Sequence, residues 1–251
     1  MSVNIAMWSG PRNISTAMMR AFENRPDTEV VDEPFYAAFL ARTGIDHPMR
    51  ERVLVSQETD PTVIATSLMQ GGLGGAPIFY QKHMTHHLLP GFDRTWMDAC
   101  RNAFLIRSPE RVLASYAAKR AEVNLDDIGF VQQAEIFDDV ADSLGVAPPV
   151  IDADDVLANP RRALAALCRA VGIGFDESML AWPPGRRASD GVWGPAWYDA
   201  VERSTGFAAP TGPPLDLAPR LSAIAEAARP IYERLARHRL TDSLAASSDG
   251  G

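Results

Sequence analysis

The stretch Trp8-Ser9-Gly10-Pro11-Arg12-Asn13-Ile14-Ser15-Thr16-Ala17 joins a short apolar run, Val3 to Trp8, to an apolar-patterned segment that starts near Ser15. A strand that turns directly into a helix aims backbone N–H groups and the positive end of the helix dipole at one point. Such a point suits a phosphate or another compact anion, and Arg12 with the Ser15 and Thr16 hydroxyls adds donors there. The turn is not the nucleotide triphosphatase loop. That loop needs G-x-x-x-x-G-K-[ST], and Ile14 stands where its lysine would precede Ser15.

The rest of the chain repeats the alternation. Thr28–Asp32 reads as a second buried strand, with Glu33-Pro34 at its end and a helix over Phe35–Arg42 that closes at Thr43-Gly44. After the turn Gly71 to Gly75, a third strand over Pro77–Gln81 runs into the corner Lys82-His83, and Ala103–Ile106 is a fourth. Val150-Ile151, with Asp152, is the fifth. Helical patterns cover Pro61–Met69, Phe92–Cys100, the segment after Pro109, Phe130–Leu144, Pro160–Val171 and Pro219–Arg237. This order predicts an α/β fold: a mostly parallel central sheet with helices on both faces, in a three-layer, P-loop-like nucleotide-binding architecture. The stretch Trp182–Pro214 is rich in Gly, Pro and Trp and reads as a long ordered loop.

With 251 residues and 46% hydrophobic content, one domain over residues 1–242 is expected, followed by a disordered tail at 243–251. No run of 18 apolar residues occurs and the N-terminus carries no basic, apolar leader, so neither membrane insertion nor export is expected. Cys100 and Cys168 lie far apart, which fits a reducing cytoplasm. A net charge of −8 argues against nucleic acid bound over a broad surface, but not against a small anion in a focused pocket. The 24 basic residues include two lysines, Lys82 and Lys119, and arginine suits bidentate capture of phosphate or sulfate. Two lysines also leave few candidates for a pyridoxal Schiff base.

Four segments fall at predicted carboxyl ends of strands: the loop around Arg12, Glu33, the Lys82-His83 corner, and Arg107-Ser108. Ligands of open α/β sheets bind beyond that edge, so these segments are expected to form one site. Arg107 is followed two helical turns later by Ser115, about 10 Å along the axis, so an anion touching both lies beside that helix.

Together these segments resemble the sulfotransferases that use 3′-phosphoadenosine 5′-phosphosulfate (PAPS). Pro11-Arg12-Asn13-Ile14-Ser15-Thr16 looks like the family's P-R-S-G-S-T or P-K-S-G-T-T loop, and Arg107 through Ser115 is similar to its R-D-P-R-D-V-L-x-S motif. Asp154-Asp155-Val156-Leu157-Ala158-Asn159-Pro160 resembles an E-D-L-x-x-x-P turn, and Arg186 through Trp193 looks weakly like a late R-K-G-x-x-G-D-W loop. The resemblance implies that Gly10, Pro11, Arg12, Asn13, Ile14, Ser15 and Thr16 hold the 5′-phosphosulfate. It also implies that Arg107 and Ser115 hold the 3′-phosphate, with Arg186, Arg187 and Trp193 closing over the nucleotide. Three departures stand out: Ile14 replaces the loop glycine, Asn13 a serine, and Ser108 an aspartate. The first predicts a loop backbone that does not take a glycine conformation.

The implied reaction is transfer of a sulfuryl group, without a metal, to a hydroxyl or amine of a small-molecule acceptor, leaving adenosine 3′,5′-bisphosphate (PAP). Arg12 then stabilises the leaving group. Glu33 is the first candidate for the base, since Val31-Asp32-Glu33-Pro34 resembles the strand-two Glu-Pro of the carbohydrate and bacterial glycolipid branches. Lys82 and His83 form the rival constellation. Cytosolic relatives carry a His two residues after a strand-ending Lys, where this chain has Met84. Zinc at His83, His86 and His87 is disfavoured because no fourth ligand is evident. Trp182, Trp193 and Trp197 are candidates for stacking on adenine or acceptor, or for the core. A nucleotide kinase using ATP and magnesium, and a non-catalytic sensor of the phosphoadenosine nucleotide, remain as alternatives. Oligomeric state is open.

Overall fold

The computed structural model describes residues 2–118, 122–209, 212 and 216–240. Its centre is a five-stranded, all-parallel sheet of β1 (Val3–Ser9), β2 (Thr28–Asp32), β3 (Ile78–Met84), β4 (Arg101–Ile106) and β5 (Val150–Asp152) in the order β2-β3-β1-β4-β5. The chain first winds outward from β1 and back through β2 and β3, then crosses β1 to β4. The winding reverses between β1 and β4, and a crevice opens there at the carboxyl edge.

Both faces of the sheet are covered, as its apolar strands require. On one face Trp8, Phe79, Phe104 and Ile106 pack against helices α4 (Pro61–Gln70), α6 (Phe130–Leu144) and α11 (Pro219–Ala236). On the other, Ile5, Met7, Tyr80 and Leu105 pack against α1 (Ser15–Glu23) and α8 (Pro160–Ala170). The remaining helices are α2 (Tyr36–Thr43), α3 (Arg50–Ser56), α5 (Pro109–Ala117), α7 (Ala153–Ala158), α9 (Gly194–Trp197) and α10 (Asp199–Glu202). The α/β layering read from the sequence is the observed one. No described helix is long and apolar enough to cross a membrane.

The differences are local. The helix expected over Phe92–Cys100 is a single 3₁₀ turn, Thr95–Ala99. Asp93 starts it by accepting from the Thr95 amide at 3.0 Å and the Thr95 hydroxyl at 2.8 Å, a local turn that competes with longer helix. Helices α3 and α7 were not foreseen: α3 buries only Val53, and α7 depends on Asp152 accepting from the Asp154 amide at 2.9 Å. Strand β3 runs three residues past the expected Gln81, because β1 and β2 pair with it on both sides through Met84 and Lys82 respectively. Lys82 and His83 are therefore strand residues, not a corner, and period-2 alternation sends them to opposite faces. Lys119 and the tail from 243 lie outside the described residues.

Candidate active site

The loop after β1 is held in place by close backbone packing. A Cβ on Gly10 would meet the Ile128 carbonyl oxygen at 2.5 Å, so only glycine lets the loop pass beneath that segment. Asn13, 1% exposed, donates from Nδ2 to the Leu105 carbonyl at 3.3 Å and fastens the loop to β4. Arg12 and Ile14 both take left-handed backbone conformations, with φ of 64° and 56°. Ile14 thus adopts the conformation that a glycine would take, against the expectation from its side chain, and stores the cost as strain. No side chain caps the N-terminus of α1, which leaves its first amides directed at the crevice.

Arg12 and Arg107 converge here. The Arg12 Nε donates to the Ser115 hydroxyl at 2.9 Å, and Arg107 donates to the Arg12 carbonyl at 2.8 Å. Burial pulls both guanidinium pKa values down, partly offset by Asp199 at Arg12 and by Asp154 at Arg107. Among the described residues the Arg107 Nε has no hydrogen-bond partner, and the atom is buried. Two half-buried cations, one with an orphaned donor, are a favourable setting for a polyanion. They border a cavity of about 320 Å³ whose lining joins Arg12, Asn13, Thr16, Arg107 and Ser115 to the apolar Leu157, Val201 and Phe207.

A second cavity, about 90 Å³, shares Arg12, Ser15, Thr16, Trp197 and Tyr198 with the first and leads to Glu33. Glu33 follows β2 with φ 45°, and its amide donates to the Lys82 carbonyl at 2.9 Å. Lys82, 1% exposed, is paired in register with Asp32 across β2 and β3. Its Nζ donates to Asp32 Oδ1 at 2.8 Å and to Glu33 Oε1, and lies 3.1 Å from the Tyr198 hydroxyl. Burial pushes the Glu33 carboxyl upward, and Lys82 offsets only part of that shift. Burial alone would favour neutral Lys82, yet Asp32 and Glu33 outweigh it and hold its pKa above the ordinary lysine value. The pair can therefore act as a carboxylate primed to take a proton beside a fixed ammonium.

His83 is placed elsewhere. It stacks on Trp8 with ring centres 4.4 Å apart, on the face of β3 opposite Lys82, and it does not line either cavity. Burial pulls its pKa down to about 3. His86 and His87 do line the smaller cavity, and burial lowers them too, His86 to about 3. Among the described residues no group of three His, Cys, Asp or Glu is arranged to hold a metal ion.

The late loop contributes differently from expectation. Trp193 is 1% exposed and donates to the Tyr198 hydroxyl at 2.9 Å, so it is a support and not an adenine platform. Arg186 and Arg187 line neither cavity; Arg187 donates to the Pro183 carbonyl at 3.0 Å. Trp182 is in the core, and Trp197 borders both cavities. Sequence reasoning missed Asp32 and Tyr198. Asp32 carried a signal, a second carboxylate beside Glu33 at a strand end. Tyr198 lies in a segment where only composition was legible.

Comparison with known proteins identifies the family. Two Arabidopsis thaliana proteins, branched-chain-amino-acid aminotransferase-like proteins 1 and 2, are 36% and 34% identical over 234 residues, or 93% of this chain. The chain spans only 42% and 41% of their lengths, so their names describe much larger proteins. The crystal structure of a sulfotransferase from Alicyclobacillus acidocaldarius superposes with a TM-score of 0.58 at 12% identity, covering 97% of this chain and 98% of that one, which shows a shared fold. The family model described as a sulfotransferase domain matches residues 3–239, and the chain therefore belongs to the sulfotransferase family.

Proposed function

We propose that this sulfotransferase takes its sulfuryl group from PAPS and passes it to a hydroxyl or amine of a small molecule, within one catalytic domain over residues 1–242. The observation that carries the reading is the meeting of Arg12, Arg107 and Ser115 on the wall of one cavity, with Glu33 on the wall of the adjoining one. The larger cavity combines a cationic, anion-binding lining with an apolar one, which suits the phosphates and the adenine of an adenosine bisphosphate. Arg107 and Ser115 would take the 3′-phosphate, and the loop amides with Arg12, Ser15 and Thr16 the 5′-phosphosulfate.

The chemistry is a displacement at sulfur. The acceptor oxygen or nitrogen forms a bond to sulfur as the bond from sulfur to the bridging phosphate oxygen breaks. Charge grows on that leaving oxygen, where Arg12 and the α1 amides stabilise it electrostatically. The acceptor's proton goes to Glu33, whose burial raises its basicity. No metal is required by this scheme. His83 has no part in it, because its ring faces the other side of β3.

Thermal stabilisation by PAP, compared with ATP plus magnesium, tests the donor. Ligand linkage gives a shift that grows with concentration. PAP should stabilise the protein and Arg107→Ala should weaken the response; stabilisation by ATP alone would overturn the donor reading. Glu33→Gln should keep the PAP response and lose transfer of radiolabelled sulfate, whereas unchanged transfer would remove Glu33 from the base role.

A further inference from the structure

Two adjacent carboxylates, Asp32 and Glu33, share one ammonium, and a single tyrosine stands between them. The Tyr198 hydroxyl donates to Asp32 Oδ2 at 2.7 Å, accepts from Trp193 Nε1 at 2.9 Å, and lies 3.1 Å from Lys82 Nζ and 3.4 Å from Glu33 Oε1. Asp32 is filled on both oxygens: Oδ1 by Lys82, Oδ2 by Tyr198 and by the Gly191 amide at 3.1 Å. Glu33 Oε1 is held by Lys82 and by the weaker contact with Tyr198, while Oε2 lies 3.9 Å from His87 Nδ1, beyond hydrogen-bond distance. Oε2 is the oxygen left for a proton.

We propose that Tyr198 is a positioning residue that fixes the division of labour between the two carboxylates, tying Asp32 down as the permanent counter-ion of Lys82 so that Glu33 alone exchanges protons with the acceptor. This inference rests on the reading of Glu33 as base. Tyr198 also borders both cavities, and the neighbouring Trp197 carbonyl accepts from Arg12 at 3.5 Å, so one short segment touches the donor-side arginine and the base together.

Glu33 is faced by Asp32 from the end of β2, by Lys82 from β3, by His87 from the turn after β3, and by Tyr198 from the junction of α9 and α10. Arg12, Tyr36, His47, His86 and Tyr116 complete the titratable lining of the smaller cavity. Of these, the histidine at 87 is held neutral by burial, and the phenol of Tyr198 is held protonated. Removing the Tyr198 hydroxyl makes Asp32 draw more fully on Lys82 and takes a weak contact from Glu33. Both changes make the Glu33 proton harder to remove. Removing the Asp32 charge does the reverse: it frees Lys82 for Glu33 and takes away a repulsive neighbour.

The test is the acid limb of kcat against pH in two variants. Tyr198→Phe should move the limb upward by about half to one pH unit, the size expected for one hydrogen bond. Asp32→Asn should move it downward. Opposite displacements cannot arise from loosened packing, which would lower transfer at every pH. Limbs that stay put, that move together, or transfer abolished in both variants would overturn the proposal. Glu33→Gln separates it from the underlying reading: inactive Glu33→Gln with an unmoved limb in Tyr198→Phe defeats only the role of Tyr198.

Discussion

Replacing Ile14 with glycine and with alanine provides a direct measurement of the loop backbone. Ile14 sits at φ 56° and ψ 16° immediately before α1. A left-handed conformation costs an L-residue about 1–2 kcal/mol, a cost that glycine escapes. Against this, glycine loses about 0.5–1 kcal/mol more chain entropy than alanine on folding. The balance puts Ile14→Gly about 0.5–1 kcal/mol above Ile14→Ala in stability, the reverse of the order found in ordinary helix or strand. Both variants lose the packing of a half-buried isoleucine against the apolar face beneath α1, about 1 kcal/mol when full burial is worth about 1.5–3. Ile14→Gly should then stand near the wild type, with Ile14→Ala clearly below both. At about 2–4 °C per kcal/mol for a domain of this size, the glycine variant should melt about 1–4 °C above the alanine variant. Thermal and urea unfolding with and without PAP measure this, and the shift given by PAP should survive in the glycine variant because the loop amides keep their directions. A higher melting temperature for alanine than for glycine would refute the left-handed backbone and the account of the missing loop glycine.

Two further outcomes follow from burial. His83→Phe should retain transfer per folded molecule, because the ring it replaces stacks on Trp8 away from Glu33; a loss of tenfold or more in kcat would place His83 in the chemistry after all. Acid should destabilise the fold well above the carboxylate range: His83 and His86 titrate at about 3 when folded, below the usual histidine value, so the unfolded chain binds more protons in that window. Their stabilisation is fully present above about pH 6.5 and is lost as pH falls toward 3, each contributing a slope of about 1.4 kcal/mol per pH unit. Glu33, raised by burial, acts with the opposite sign and offsets part of the loss. Urea unfolding at pH 7 and pH 5 should differ by about 2–4 kcal/mol in favour of pH 7, and equal stabilities would refute the burial of these imidazoles in neutral form.

Local sequence pattern was enough to give the strand and helix alternation, the parallel sheet and the edge at which the candidate site lies. Strands buried on both faces must be apolar throughout and a helix buries a stripe, so the first leaves a short apolar run and the second a periodic one. The gathering of Arg12, Glu33, Arg107 and Ser115 about that edge was legible for the same reason, since each stands at a fixed offset from a strand end. The separation of Lys82 from His83 was decided by strand pairing. Three more paired residues extended β3 past Gln81, and alternation then sent one side chain to the base and the other to the core. The strain at Ile14 and the hub at Tyr198 belong to tertiary structure alone. A backbone torsion is imposed by what holds the loop at Asn13 and Gly10, and Tyr198 meets Asp32 across 166 positions of chain. No local pattern encodes a contact whose partners are brought together only when the sheet and its late loop close on each other.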